Sequence, residues 1–176
     1  MIDVLIQTFN EEKNLPHTLE TIMPWARDSL EPGNEPIFGK VFVIDSHSTD
    51  RTIDIVNDMR ATPVVHTWEG YARQKNWALR TLPLTSPWTL ILDADEALTP
   101  ELRQKLHAIA STPFNPATDA TGYLLNRLTY FQGEPLKHSG YYPSWNLRFF
   151  RRGGRCAAGA SASQAARRVR RIPCAR

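Results

Sequence analysis

The spacing of apolar residues follows two periods along the first 110 positions. Residues 2–8 (Ile-Asp-Val-Leu-Ile-Gln-Thr) read as a short buried strand. Asn10 is placed to cap a following helix, with Glu11 and Glu12 in its first turn. Leu15, Leu19, Ile22 and Met23 recur at helical spacing and form that helix's buried face. Residues 31–36 are a loop by composition, and residues 41–45 form a second strand. Thr49 or Asp50 caps the next helix, whose apolar face is Ile53, Val56 and Met59. Residues 63–66 read as a third strand. A helix over 71–82 turns Ala72, Ala78, Leu79 and Leu82 inward. Residues 88–92 are a fourth strand ending directly on Asp93. Thr99 then caps a helix with Pro100 at its first position and Leu102, Leu106 and Ile109 on its buried side.

Alternation of strand and helix predicts an α/β fold with a mostly parallel central sheet and helices on both faces. Right-handed crossovers place the strand C-termini along one edge, where ligands bind in such sheets. Three polar clusters, at 8–11, 45–50 and 93–96, each follow a strand, so the fold would gather them in one crevice. Beyond residue 115 the pattern changes. Residues 122–127 and 145–150 read as strands on either side of an aromatic loop holding Tyr130, Phe131, Tyr141 and Tyr142.

Composition adds one qualification. The chain has 176 residues, 41% hydrophobic and 22% charged, which suits a single globular domain. Its formal charge of +3 conceals two regions: residues 1–150 are net −5, and residues 151–176 carry eight Arg and no acid. The basic balance therefore belongs to the end of the chain, and no basic patch on residues 1–150 points to nucleic acid. Residues 153–176, with seven Ala and six Arg, cannot bury enough apolar surface to offset ordering, so a disordered tail is expected. The abrupt change of vocabulary there predicts an out-of-frame or truncated reading of the gene and a fold incomplete at its C-terminus. Cys156 and Cys174, both in this segment, form neither a zinc site nor a disulfide framework. No basic leader followed by an apolar stretch opens the chain, and no apolar run approaches the ~20 residues of a membrane span. A cytoplasmic location is expected, with peripheral contact at the inner membrane compatible with it.

Asp93-Ala94-Asp95 carries the sharpest chemistry. Two carboxylates one residue apart leave a buried strand, and hard oxygen ligands suit Mg²⁺ or Mn²⁺ bridging diphosphate oxygens. Alone, the triplet is also compatible with a solvated turn. His66, His107 and His138 lack metal-ligand spacing and read as surface or packing residues.

Three further segments set the triplet in context. Gln7-Thr8-Phe9-Asn10-Glu11-Glu12 is similar to the Thr-Tyr-Asn-Glu motif of family 2 glycosyltransferases. Residues 43–52 resemble their Val-Val-Asp-(Asp/Ser)-Gly-Ser-Thr-Asp-Gly-Thr segment, with His47 where Gly is usual. Residues 71–78 resemble the stretch preceding the Asp-x-Asp strand. The combination spans about residues 2–151 and most resembles the subgroup containing lipopolysaccharide-core β-glucosyltransferases. The resemblance implies a GT-A-like nucleotide-diphospho-sugar transferase fold, a UDP-sugar donor, a glycan or glycolipid acceptor, no nucleic-acid partner, and Mg²⁺ or Mn²⁺. It implies that Thr8, Asn10 and Glu11 line a nucleoside pocket and that Asp45 accepts from the base. It puts Lys75 beside the donor phosphate or sugar, Asp93 at the ribose or metal, and Asp95 on the metal. Trp145 and Arg148 fall near the acceptor and diphosphate side. The general base is expected beyond Arg152, where the chain has no acid; Glu134 is its last carboxylate and is not assigned that role.

Overall fold

The computed structural model describes residues 1–27, 33–138, 140–152 and 169–172. Strand β1 (Ile2–Thr8) is buried along its whole length. It lies parallel between β2 (Phe38–Asp45) and β4 (Trp88–Asp93), and β2 pairs in parallel with β3 (Thr62–Val65). On the far side of β4, β8 (Ser144–Arg151) runs antiparallel to both β4 and β5 (Gly122–Arg127). Among the described residues these strands form one sheet in the order β3-β2-β1-β4-β8-β5-β9, where β9 is Val169–Ile172. A separate two-stranded hairpin is made of β6 (Tyr130–Phe131) and β7 (Glu134–Pro135).

The period-two alternation of β1 builds both faces. Ile2, Val4 and Ile6 pack with Leu15 and Leu19 of α1 (Leu15–Glu20), Val56 of α2 (Thr52–Asp58), and Leu102 and Leu106 of α4 (Pro100–Ser111). Leu5 faces the other way, with Phe42, Ile44, Ile91 and Ala78 of α3 (Tyr71–Thr81). Helices thus cover both faces of a mostly parallel sheet, as the sequence pattern predicts. Each fully buried Leu or Ile contributes roughly 1.5–3 kcal/mol, so these stripes rather than helix propensity hold helices as short as α1 and α2.

The pattern misplaces several local features. Asn10 is not a helix cap: α1 starts four residues later, from Asn14, and Asn10 sits at φ 53° between the elements. Asp50 does accept from the Thr52 amide at 3.0 Å, yet the capping position belongs to Arg51, so Asp50 acts from one residue further out. Thr99 caps α4 as expected, accepting from Leu102 N at 3.2 Å, with Pro100 next. In α3 the inward positions are Gln74 and Ala78; Ala72 is exposed, and Leu79 and Leu82 are half-buried. His47 takes φ 63°, the left-handed conformation for which glycine is usual at that place.

The segment expected to be a disordered tail contributes a strand. Val169–Ile172 pairs in parallel with Gly122–Leu125, and Ile172 is buried in the core. Open backbone at the β5 edge and two apolar residues, Val169 and Ile172, seat four residues there. The rest of 153–176, including both Cys, lies outside the described residues.

Asp3 closes the lower end of the sheet. Its Oδ1 accepts from Lys40 N at 3.0 Å and Ser86 Oγ at 2.7 Å, and its Oδ2 from Thr85 N at 2.6 Å and Ser86 N at 2.8 Å. A Cβ at Gly39 would stand 2.5 Å from Oδ1, so glycine is required for this approach. Asp3→Ala strands three backbone donors at a fully buried position and should cost about 3 kcal/mol, with Asp3→Asn costing less. The measurement is the urea midpoint, which should fall with an unchanged slope; an unchanged midpoint would contradict this role for Asp3.

Candidate functional site

Strand order reverses at β1. The chain builds β1, β2 and β3 outward on one side, then returns to lay β4 on the other. The loops after β1 and β4 consequently diverge, and a crevice opens between them at the carboxyl ends of the strands. A cleft of about 780 Å³ lies there. Gln7, Thr8, Glu11, Ser46, Asp93 and Asp95 line it, together with Ala94 and Arg127. Three exposed aromatic residues, Phe9, Trp68 and Tyr71, complete its lining, and Trp68 meets Tyr71 edge-on at 4.7 Å.

One wall is made of two loops tied together by their own polar groups. Ser46 N donates to Thr8 O at 3.0 Å and Asn10 N to Ser48 Oγ at 2.8 Å. Thr49 N returns a bond to Asn10 Oδ1 at 2.8 Å. Glu11 N donates to Thr52 Oγ1 at 2.9 Å, and Glu12 N to Asp50 Oδ2 at 3.1 Å. Burial works against the Asp50 charge, but hydrogen bonds from Thr52 and Glu12 prevail and hold its carboxyl below the usual range. Asp45 is 1% exposed and accepts from Ser48 N at 2.8 Å and from Ser48 Oγ.

The opposite wall is a charge cluster at the end of β4. Asp93 Oδ1 accepts from Lys75 Nζ at 3.1 Å and Arg148 Nη1 at 3.2 Å; its Oδ2 accepts from Arg148 Nη2 at 2.5 Å. The same guanidinium reaches Glu96 Oε1 at 2.8 Å, while Glu96 Oε2 takes Asp93 N at 3.0 Å. Burial raises the Asp93 pKa, but the bonds and charges of Arg148 and Lys75 outweigh it and depress the carboxyl. Glu96 goes the other way: burial dominates and raises it, despite Arg148. Burial disfavours the Arg148 cation, and its two carboxylate partners more than restore it.

Asp95 differs from both. It is exposed in the cleft, and among the described residues its carboxylate makes no hydrogen bond or ion pair. Nor do any three His, Cys, Asp or Glu side chains among those residues cluster as a cage for a metal ion. One accessible carboxylate is what Mg²⁺ or Mn²⁺ needs when most of its ligands come from a diphosphate and water, so Asp95 fits such an ion. Asp93 also lines the cleft, with both of its oxygens engaged by Lys75 and Arg148.

Of the residues singled out from sequence, Thr8, Glu11, Asp93 and Asp95 line the cleft. Lys75 and Arg148 meet it through Asp93. Asn10 and Asp45 hold the loops. Trp145 is half-buried, with the Arg171 guanidinium 5.1 Å from its ring centre. Glu134 stands exposed on the small hairpin. His66 stacks on Trp77 at 3.7 Å, a packing role. Sequence reasoning passed over Gln7, Ser46, Gln74, Glu96 and Arg127, and the cleft aromatics Phe9, Trp68 and Tyr71. Ser46 and Glu96 stand in the polar clusters that follow two predicted strands, and Gln7, Phe9, Tyr71 and Gln74 in the motif segments, without a role attached to any of them; Trp68 and Arg127 carried no signal.

A cleft at the strand-order reversal of a mostly parallel sheet stands where ligands bind in folds of this kind. Residues 3–167 match the model of the family described as Glycosyl transferase family 2, and the chain belongs to that family. It is 31% identical over 108 residues to an uncharacterized glycosyltransferase of Rickettsia typhi, covering 61% of this chain and 32% of that protein. It is 30% identical over 119 residues to the lipopolysaccharide core biosynthesis glycosyltransferase LpsC of Rhizobium meliloti, covering 65% and 42% respectively. The chain thus spans well under half the length of these relatives. In fold it resembles S. aureus TarS 1-349, with a TM-score of 0.55 and 18% identity over 85% of this chain and 46% of that one. The structure of the same protein in complex with UDP-GlcNAc superposes with a TM-score of 0.54 and 22% identity, over 76% and 36%.

Arg148→Met would leave Asp93 and Glu96 facing each other without their shared cation. Breaking a buried pair costs 3–5 kcal/mol; the Asp93 side chain is 30% exposed, so about 2–3 kcal/mol is expected at pH 7. The depressed Asp93 adds stability that is present above its unfolded pKa and lost as pH falls through the folded value. The variant's deficit in chemical denaturation should therefore shrink on acidification through the carboxylate range. A deficit independent of pH would mean that Arg148 acts by packing alone.

Proposed function

We propose that this chain binds a UDP-sugar in the β1–β4 cleft and is the donor-binding part of an inverting hexosyltransferase. UDP-glucose is the donor, and lipopolysaccharide core or another cell-envelope glycan is the acceptor. The observation that carries this reading is the division of labour in Asp93-Ala94-Asp95: one acid clamped by Arg148 and Lys75, the other open to the cleft. The likeness to LpsC supports the acceptor class, and the UDP-GlcNAc complex of TarS supports the donor class.

On this reading Thr8 and Glu11 hold the nucleoside against a wall stiffened by Asn10 and Asp45. Asp95 holds Mg²⁺ or Mn²⁺. A bound ion of this kind offsets the charge that develops on the leaving nucleoside diphosphate. Lys75 and Arg148 offset the charges of Asp93 and Glu96, so the ion held by Asp95 would supply the positive charge that a diphosphate meets. The acceptor hydroxyl must lose its proton to a base as it attacks. The resemblance puts that base beyond Arg152, and no acid follows Glu134 in this chain. A second reading of the same cleft is donor binding without transfer. The work would take place on the cytoplasmic side, at or near the inner membrane; among the described residues no helix is long and apolar enough to cross a membrane.

Calorimetric titration of UDP and UDP-glucose, with and without Mn²⁺, tests the assignment. Binding should require the metal and weaken at least about tenfold in Asp95→Asn. Metal-independent binding unaffected by that substitution would sink it. Sugar transfer or UDP release supports the enzyme, and binding without turnover supports the second reading.

A further inference from the structure

At the cleft lies a chain of buried polar side chains, Gln7, Gln74 and Ser46, which fall within the motif segments but carry none of the roles the resemblance implies. Gln7, one residue before the end of β1, lies directly opposite Asp93 of β4. Its Nε2 donates to Gln74 Oε1 at 2.6 Å, and Gln74 Nε2 donates to Ser46 Oγ at 2.9 Å. Gln74 is 0% exposed on the inner side of α3, a costly place for a primary amide unless each of its groups is used. Here both are used, and they connect two residues of the cleft lining.

The chain is satisfied at every atom but one. Gln7 is 7% exposed, and its Oε1 has no hydrogen-bond partner. Thr8 beside it is 5% exposed, and its Oγ1 is likewise unpartnered. Buried polar atoms without partners are rare in native proteins, and two adjacent ones lining a cleft point to a ligand that completes them. Because Gln74 occupies Nε2, the atom left over is the acceptor.

We propose that Gln7 is a donor-substrate contact whose Oε1 accepts from an N–H or O–H of the nucleotide sugar, with Gln74 as the residue that positions it. This rests on the cleft being a nucleotide-sugar site. The shared chemistry, one hydrogen-bond donor, is present in the nucleoside and in the hexose. A buried acceptor at the cleft lining discriminates against ligands that cannot donate, since they leave it unpaired.

The test compares UDP and UDP-glucose binding, with Mn²⁺, to the wild-type chain, Gln7→Met, Gln74→Met and the double variant. Gln7→Met should weaken binding about tenfold, the scale of one hydrogen bond to a buried group. An equal loss for both ligands assigns the donor to the nucleoside; a loss seen only with UDP-glucose assigns it to the hexose. If Gln74 acts through Gln7, the double variant should bind as Gln7→Met does, whereas an independent structural role would make the losses add. Independent of any substitution, the Gln7 side-chain amide resonances of the wild-type protein should shift when UDP-glucose saturates it. Unchanged affinity in Gln7→Met, or unmoved resonances, overturns the proposal. Failure of the wild-type chain to bind either ligand would instead reject the site reading itself, and this inference with it.

Discussion

A single guanidinium decides how the end of β4 can be used. Asp93 and Glu96 leave that strand three residues apart, both partly buried, and both against the same backbone. Two ionised carboxylates so placed repel in a medium that screens poorly. Arg148 reaches both from β8, the strand that runs antiparallel beside β4. Its direction is what makes this possible. Leu90 faces Phe149 in the ladder, so Arg148 comes one step nearer the carboxyl end of β4, the end that bears the acids. A parallel neighbour would need a crossover there and would start from the other end.

The consequence is that two acids separated by one alanine have different chemistry. Asp93 is committed to Arg148 and Lys75, with its carboxyl depressed by their charge against the pull of burial. Asp95 is left with an open carboxylate facing the cleft. Glu96, raised by burial, braces the arrangement through the Asp93 amide. The facing wall is built on another principle: backbone amides of one loop paired with side-chain oxygens of the next. Asn10, which makes two of those bonds, and His47, which precedes Ser48, adopt left-handed backbone conformations, a small strain for non-glycine residues. Thus one wall is stiffened by charge and the other by hydrogen bonds, and ligand-facing groups are few on both.

The fold was legible because each strand of the first half carries its own buried face. Period two in Ile2, Val4 and Ile6, and helical spacing in Leu102 and Leu106, require no knowledge of neighbours. Asp95 was legible for the same local reason, at the end of an apolar strand. What escaped depends on partners distant in sequence. Asn10 looks like a cap until its partners turn out to be Ser48 and Thr49. Gln74 looks like a solvated helix residue until Gln7 and Ser46 close around it, 67 and 28 positions away. Ala72, by contrast, reads as inward only because alanine is compatible with either side. The Val169–Ile172 strand was hidden by composition: among Arg and Ala, one valine, one isoleucine and a free sheet edge were enough.

Buried polar residues that local rules would reject collect at the top of this sheet. Gln7, Thr8, Asp45 and Ser46, at or just past the ends of β1 and β2, and Gln74 on α3 are all below a tenth exposed. Aliphatic residues would pack there at lower cost, since each buried polar group must first recover its hydration. Asp3, at the opposite end, shows what a purely structural solution looks like: a buried carboxylate with both oxygens accepting two bonds each. The upper cluster departs from that standard at Gln7 and Thr8, where oxygens remain unpaired. Thr89 Oγ1, opposite Asp3 in the ladder, is also buried and unpaired, so what sets Gln7 and Thr8 apart is their place in the cleft lining. Stability is spent where the strand order opens a crevice, which is where a ligand can return it.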